Sequence, residues 1–322
     1  MQLKNYKTFF AQKLSSLYPK TEIDTFFFLL VEEYLGFQRI DTVLKLGYII
    51  TKNQLSSLNI ALKRLQKEEP IQYILGKTEF YGLPFLVDKN TLIPRPETEE
   101  LVEWILAEVS NFQGFRVSKF QGFKVSKFQG FKVSKLTVLD IGTGTGCIPI
   151  SLAKHLPNTT ISAIDVSKKA LKIAKKNAQL NAVDIDFFEA DVLKIRNLNV
   201  IAKEERLKQS QNNFFFNELK FNIIISNPPY VRELEKVTIK NNVLQNEPHL
   251  ALFVEDNNPL IFYKKIADLA KNHLTKNGIL FFEINQYLGK EIVKMLHKKG
   301  FKNIEIRKDL FGNNRMVKCG LI

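Results

Sequence analysis

The stretch Leu136-Thr137-Val138-Leu139-Asp140-Ile141-Gly142-Thr143-Gly144-Thr145-Gly146 decides the fold. A β-branched and apolar run passes through three alternating glycines into the helix-like pattern that opens at Cys147, so a buried strand should turn sharply into a helix. Glycine supplies that turn and lets the backbone approach a ligand with no Cβ in the way. The spacing is G-x-G-x-G. A dinucleotide fingerprint would be G-x-G-x-x-G, with a pyrophosphate on the helix N-terminus, and Cys147-Ile148 does not provide its third glycine.

Strand and helix alternate outward from this turn. Strands are read at 136–141, 159–165, 185–190, 221–226, 279–284, 303–307 and 315–320, with helices between most of them, which is a doubly wound α/β sheet. Asp165 ends the second strand, where a carboxylate accepts both hydroxyls of a ribose; its other reading is a helix cap ahead of Ser167. Asp191 and Val192 follow the third strand, placed to meet an adenine amine and ring. An acid-rich pocket beside this loop suits a ligand without phosphate, and S-adenosylmethionine is one.

The fourth strand carries Ile223-Ile224-Ile225 straight into Asn227-Pro228-Pro229-Tyr230. Both prolines have fixed φ and no N–H, so the corner is stiff and offers carbonyl oxygens. The Asn227 side-chain oxygen and the Pro228 carbonyl can grip the two hydrogens of a planar NH₂ group, with Tyr230 over its flat face. Asn227, Pro228 and Tyr230 are the expected catalytic residues, and Pro229 joins them in binding the substrate. The other reading of the tetrapeptide is ordinary turn punctuation.

The N-terminal 75 residues place apolar side chains such as Phe9, Leu14, Leu17, Leu55, Leu58 and Leu62 at helical steps, which predicts a bundle of three to five short helices that grips a macromolecular substrate. A β-hairpin follows, 79–82 with 83–87, its turn marked by Gly82 and Pro84. Then come an extended Ile93-Pro94-Arg95-Pro96 and a helix started by Glu97 or Thr98 and running through Leu101 to Val109. Arg95 reads either as an ion-pair partner or as part of a site's rim. The expected domains are 1–76, a hairpin and extended linker at 77–96, and 97–322.

Residues 112–135 are three copies of an octapeptide, Phe-Gln-Gly-Phe-Arg-Val-Ser-Lys once and Phe-Gln-Gly-Phe-Lys-Val-Ser-Lys twice, too short a period to bury a core and read as a surface insertion. They hold six of the fourteen surplus positive charges: Arg116, Lys119, Lys124, Lys127, Lys132 and Lys135. Interleaved aromatic and basic residues also suit single-stranded nucleic acid, but the rest of the surplus is mild and spread. Residues 204–217 read as a second inserted loop. With 45% hydrophobic and 25% charged residues in 322, the chain has the composition of a globular protein. Its strongest apolar run, Phe26 to Val31, is too short to cross a bilayer, so a cytoplasmic location is expected. Two cysteines and four histidines in no ligand pattern predict neither disulfide nor metal.

The glycine loop and then Asn-Pro-Pro-Tyr, in this order on alternating strands and helices, resemble the S-adenosylmethionine-dependent amino methyltransferases. Adding Ile93-Pro94-Arg95-Pro96-Glu97-Thr98-Glu99 and the closing Gly312-Asn313-Asn314-Arg315, the chain resembles the bacterial release factor glutamine methyltransferases over nearly its whole length. That resemblance implies a Rossmann-like, seven-stranded methyltransferase sheet with a small helical N-terminal domain, S-adenosylmethionine as cofactor, and N5-methylation of the glutamine in the Gly-Gly-Gln motif of peptide chain release factors. It carries Gly142, Thr143, Gly144, Thr145, Gly146, Asp165, Val192 and Asn227 over as cofactor contacts. The chain is expected to be a monomer that binds no membrane and does not bind nucleic acid directly. The sequence departs from the family in the octapeptide repeat and at Asn285, where glycine is usual. The rival readings are an adenine-N6 or guanine-N2 methyltransferase acting on nucleic acid, which shares the tetrapeptide, and a non-catalytic binding module.

Overall fold

The computed structural model describes residues 1–113, 136–198 and 219–322, with the backbone alone at 111–113. Both inserted segments, 114–135 of the repeat and 204–217, lie outside the described residues. The chain divides into two compact units, one of Met1–Thr78, Val87–Lys89 and Thr238–Glu247, the other of Glu79–Leu86, Asn90–Val237 and Pro248–Ile322. The excursion Thr238–Glu247 belongs with the N-terminal unit, an addition to the expected sequential domains.

The first unit is helical, with α1 Leu3–Leu14, α2 Lys20–Leu35, α3 Asp41–Leu44, α4 Lys52–Leu65 and α5 Ile71–Leu75. Residues Leu3, Tyr6, Phe10 and Leu14 fall at three- and four-residue steps and form one buried stripe, which packs with Phe27, Leu30 and Val31 of α2 and Leu58, Leu62 and Leu65 of α4. A reciprocal cap starts α4: the Thr51 hydroxyl accepts from Gln54 N at 3.3 Å, and Gln54 Oε1 accepts from Thr51 N at 3.0 Å.

A hairpin follows, β1 Lys77–Phe80 and β2 Leu83–Leu86. Its two-residue turn is Tyr81-Gly82, with φ of 50° and 71°, the left-handed pair that suits strand twist. Pro84, expected in the turn, lies inside β2. The helix α6, Pro96–Gln113, begins one to two residues before the expected Glu97 or Thr98, because proline at the first helical position has no amide hydrogen to leave unsatisfied.

The catalytic-type sheet comprises β3 Leu136–Ile141, β4 Thr159–Asp165, β5 Asp186–Glu189, β6 Phe221–Ser226, β9 Leu274–Glu283, β10 Lys302–Lys308 and β11 Asn314–Gly320; a two-stranded pair, β7 Val231–Arg232 and β8 Phe253–Val254, stands apart. The seven strands lie in the order β10-β11-β9-β6-β3-β4-β5, parallel except for the pairs that β11 makes. Helices α7 Cys147–His155, α8 Lys168–Leu180, α9 Asn241–Asn246, α10 Ile261–His273 and α11 Gly289–Lys298 complete the described elements of regular α-helix. Strand residues alternate between two cores. Val138, Ile223, Ile225 and Phe281 pack with Trp104 and Ile150 on one face; Leu139, Ile224, Leu280 and Phe282 pack with Tyr263 and Ile266 on the other. Burial on both faces is why these strands read as continuous apolar runs.

Strand β9 starts five residues before the expected 279. Between Phe221 and Ile223 its register with β6 jumps from Leu274 to Ile279, so the polar Thr275-Lys276-Asn277 bulge hides the strand's start. Strand order reverses between β3 and β6, and at such a switch point the C-terminal ends of neighbouring strands open a crevice. Among the described residues no helix is long and apolar enough to cross a membrane.

Candidate active site

The ends of β3 and β6 are held side by side. Ile141 pairs with Ser226, and the Ser226 hydroxyl donates to the Ile141 carbonyl at 2.6 Å. The glycine loop leaves one strand end and the tetrapeptide leaves the other. The loop turns through φ of 80°, 55° and 80° at Gly142, Gly144 and Gly146, a left-handed series that side chains with a Cβ resist. It is tied to β4 by Gly142 N and Thr143 N, which both donate to the Ile164 carbonyl, at 2.8 and 3.1 Å.

The three glycines do different things. A Cβ at Gly146 would meet Ile150 Cδ1 at 2.9 Å and Ala174 Cβ at 3.3 Å, so this glycine lets α7 and α8 close on the loop. At Gly142 and Gly144 a Cβ would have no atom within 4 Å, and both residues border open space.

That space is a cavity of about 270 Å³. Gly142, Thr143, Gly144, Thr145, Asp165, Asp191, Val192, Asn227, Pro228 and Pro229 all line it, together with Arg95 and Thr98. Gly146 and Tyr230 fall outside its lining. Asp165 is stitched to the loop: Oδ2 accepts from Gly144 N and Oδ1 from Ser167 N, each at 2.8 Å. Burial raises its pKa, against those same amide bonds. The N-cap of α8 is Ser167, whose hydroxyl accepts from Ala170 N at 3.2 Å, so Asp165 stands one step outside the cap. Asp191 accepts from Leu193 N at 3.0 Å and lies 3.2 Å from Lys194 Nζ.

Beneath the loop, Asp140 is fully buried, and neither carboxylate oxygen finds a hydrogen bond among the described residues. Burial pushes its pKa up to about 7; the nearby Thr143 hydroxyl opposes the shift and the Asp165 charge adds to it. The site therefore holds two acids around a glycine cradle and a third below it.

Residues 132–310 match a family model described as a methyltransferase domain, and residues 9–76 match the PrmC N-terminal domain. The release factor glutamine methyltransferase of Flavobacterium psychrophilum is 49% identical over 318 residues, spanning 99% of each chain. The chain belongs to the release factor glutamine methyltransferase family. The family's enzyme from Bacteroides thetaiotaomicron is 36% identical over 309 residues, 96% of each chain, and that from Lactococcus lactis is 39% identical over 269 residues, 83% of each. Among solved structures, the hMettl16 catalytic domain in complex with MAT2A 3'UTR hairpin 1 aligns with a TM-score of 0.52 over 97% of this chain and 91% of its own; at 14% identity the likeness is one of fold. The expected methyltransferase sheet and helical N-terminal domain are both present, and the nucleic-acid reading is not favoured.

In this methyltransferase the tetrapeptide is anchored from behind by residues far away in sequence. The buried Glu283, at the end of β9, accepts from the Thr98 hydroxyl at 2.6 Å and from the Tyr230 hydroxyl at 2.9 Å. Burial raises its pKa, while those two hydroxyls and the Arg315 charge oppose the rise. Asn227 Nδ2 lies 3.3 Å from Thr98 Oγ1. Tyr230 thus turns its hydroxyl to Glu283. Asn285 donates from Nδ2 to the Tyr230 carbonyl at 3.0 Å and to Glu235 Oε2 at 2.8 Å, so the residue that replaces the usual glycine tethers the tetrapeptide. Its φ is not positive, and the position demands no glycine. Thr98, Glu283 and Asp140 were missed as site residues. The signal available was a threonine and a glutamate inside motifs otherwise read as turns and strand ends.

Proposed function

We propose that this chain transfers a methyl group from S-adenosylmethionine to the side-chain amide nitrogen (N5) of the glutamine in the Gly-Gly-Gln motif of peptide chain release factors. The observation that carries the reading is that one cavity is lined by the glycine cradle and by Asn227, Pro228 and Pro229 together. The first relatives named above are release factor glutamine methyltransferases along their full length, which supports this substrate.

The residues fit this cofactor. Gly142 and Gly144 leave a cradle that any Cβ would fill, Asp165 and Asp191 line it, and buried Asp140 has no cationic partner among the described residues. Carboxylates in that number suit a cationic, phosphate-free ligand and would repel a phosphate. When bound, the cofactor supplies a methyl group on a positively charged sulfur. Asp165 would take the ribose hydroxyls, and Asp191 and Val192 the adenine, with Gly142 to Thr145 against the remainder.

An amide nitrogen is a weak nucleophile because its lone pair is delocalised into the carbonyl. Asn227 Oδ1 and the Pro228 carbonyl accept no hydrogen bond among the described residues, so both are available to the two hydrogens of a glutamine carboxamide. Held by two acceptors, the nitrogen would be oriented toward the methyl group, a proximity and electrostatic contribution; transfer would leave the sulfur a neutral thioether and the methylated amide would give up one hydrogen as a proton to water, so no strong base is needed. We assign Tyr230 to closing the acceptor side and the N-terminal helices to gripping the release factor. We assign the chain to the cytoplasm, where such a substrate is found, and to a monomeric state.

Mass spectrometry of a release factor incubated with the protein and methyl-labelled cofactor tests the proposal. One methyl on the Gly-Gly-Gln peptide is the expected result; an unmodified peptide beside a methylated nucleic acid would overturn it.

A further inference from the structure

Asn227 can only work as an acceptor clamp if its carboxamide faces the cavity oxygen first. An amide flipped by half a turn would present hydrogens to the hydrogens of the substrate amide and repel it. The flip must therefore be fixed by something other than the substrate.

The neighbouring hydroxyl fixes it. Thr98 has one O–H hydrogen, and its oxygen lies 2.6 Å from Glu283 Oε2, a short distance for a hydroxyl on a carboxylate. Each Glu283 oxygen lies against a hydroxyl, an arrangement that suits an acceptor with no hydrogen to give, and the Arg315 charge favours that form against the burial that raises the pKa. Tyr230 occupies the other oxygen as a donor, at 2.9 Å. Both hydroxyl hydrogens therefore point to Glu283, and the Thr98 oxygen faces Asn227 only with lone pairs. Asn227 must answer with its NH₂, at 3.3 Å, which turns Oδ1 the other way.

We infer that Thr98 and Glu283 are positioning residues that set the direction of hydrogen bonding through Asn227, so that its oxygen is presented to the substrate amide. This deepens the proposed function and rests on it, since a clamp of opposite polarity would suit a different acceptor group. Glu283 lies outside the cavity lining, and Thr98 acts through its contact with Asn227. The polarity runs from Asn227 to Thr98 to Glu283, across 129 and 185 residues of sequence.

The test separates polarity from packing. Thr98→Val keeps shape and removes the acceptor; Thr98→Ser keeps the hydroxyl; Glu283→Gln keeps size but gives Thr98 a donor, which frees the hydroxyl hydrogen to turn to Asn227 and reverse the chain. Expected for Thr98→Val and Glu283→Gln is a fall in kcat of about ten- to a hundred-fold, with the S-adenosylmethionine dissociation constant within about two-fold of wild type and Thr98→Ser restoring most of the rate. A readout independent of turnover is the side-chain amide signal of Asn227 in ¹⁵N-labelled protein, identified by its loss in Asn227→Ala. One of its hydrogens should exchange slowly in wild type and in Thr98→Ser, and quickly in Thr98→Val. If the signal is unmoved in Thr98→Val, the inference fails even where methylation is robust. If the signals behave as stated but release factor is never methylated, the polarity stands and the substrate assignment fails. Cofactor binding by each variant certifies its fold, and a variant that does not bind is replaced by the other member of the pair.

Discussion

Alanine placed at Gly144 and at Gly146 should divide into a binding defect and a folding defect. At both positions φ is left-handed, 55° and 80°, and a Cβ there costs about 1 kcal/mol or somewhat more. For Gly144→Ala the cost nearly stops there, since the new methyl meets no atom within 4 Å; a loss of about 1 kcal/mol lowers Tm by about 2–4 °C in a domain of this size. The methyl instead occupies space in the cavity, so affinity for S-adenosylmethionine should drop at least about ten-fold, the equivalent of a modest overpacking penalty. For Gly146→Ala the methyl runs into Ile150 Cδ1 at 2.9 Å and Ala174 Cβ at 3.3 Å. Ile150 is wholly buried and has no vacant direction for its terminal carbon, which adds about 2 kcal/mol of overpacking to the backbone strain. The sum of about 3 kcal/mol predicts a Tm lower by about 6–12 °C. What folds should bind the cofactor nearly as wild type does, because Gly146 does not line the cavity. Thermal unfolding by circular dichroism, with calorimetric titration of the cofactor at a temperature where both variants are folded, reads the two effects separately. Equal Tm losses with equal affinity losses would refute the division of labour among the glycines.

Asn227→Ala should abolish methyl transfer while weakening cofactor binding far less, because the amide acts mainly on the acceptor; parallel losses in turnover and in calorimetric affinity would contradict that. Asp140→Asn should stabilise the cofactor-free protein increasingly as pH rises. An acid whose folded pKa lies above its unfolded value contributes stability that is present below pH 4 and lost as pH rises through about 7, on the order of 4 kcal/mol at most. The Tm gap between variant and wild type should thus widen from pH 5 to pH 8.5, and a constant gap would remove the assigned cause. Lys318 is buried against Glu108, lies 3.0 Å from Glu305 Oε2 and sits over the Trp104 ring. Lys318→Met should cost about 3 kcal/mol by stranding the Glu108 carboxylate, and Lys318→Met with Glu108→Leu should recover much of it; thermal melts of the single and double variants decide.

The sheet was legible because physical constraint there is local. A strand buried on both faces must be apolar along its length, and a strand that ends at a ligand must turn at once, so runs such as Val138 to Ile141 and Ile223 to Ile225 followed by glycine or proline announce themselves. Errors gathered where local signals conflict. The polar start of β9 is held in the sheet by a bulge against β6, a pairing no single segment encodes. Pro84 reads as turn punctuation, yet it lies within β2 because Tyr81 and Gly82 already supply both left-handed residues of the turn.

The same distinction explains the site. Its contact surface follows from residue types next to one another in sequence: three glycines on one strand end, an amide and two prolines on the next. Its polarity does not. Whether Asn227 offers an oxygen or two hydrogens depends on a threonine in the first turn of α6 and a glutamate at the end of β9, each of which reads locally as a helix start and a strand terminus. A hydroxyl can give its hydrogen in either direction, so the sequence leaves the sign open until the fold puts a carboxylate on one side of it. Chemistry that needs only proximity can be read from a motif; chemistry that needs a hydrogen bond to run one way is written in the buried groups behind the motif.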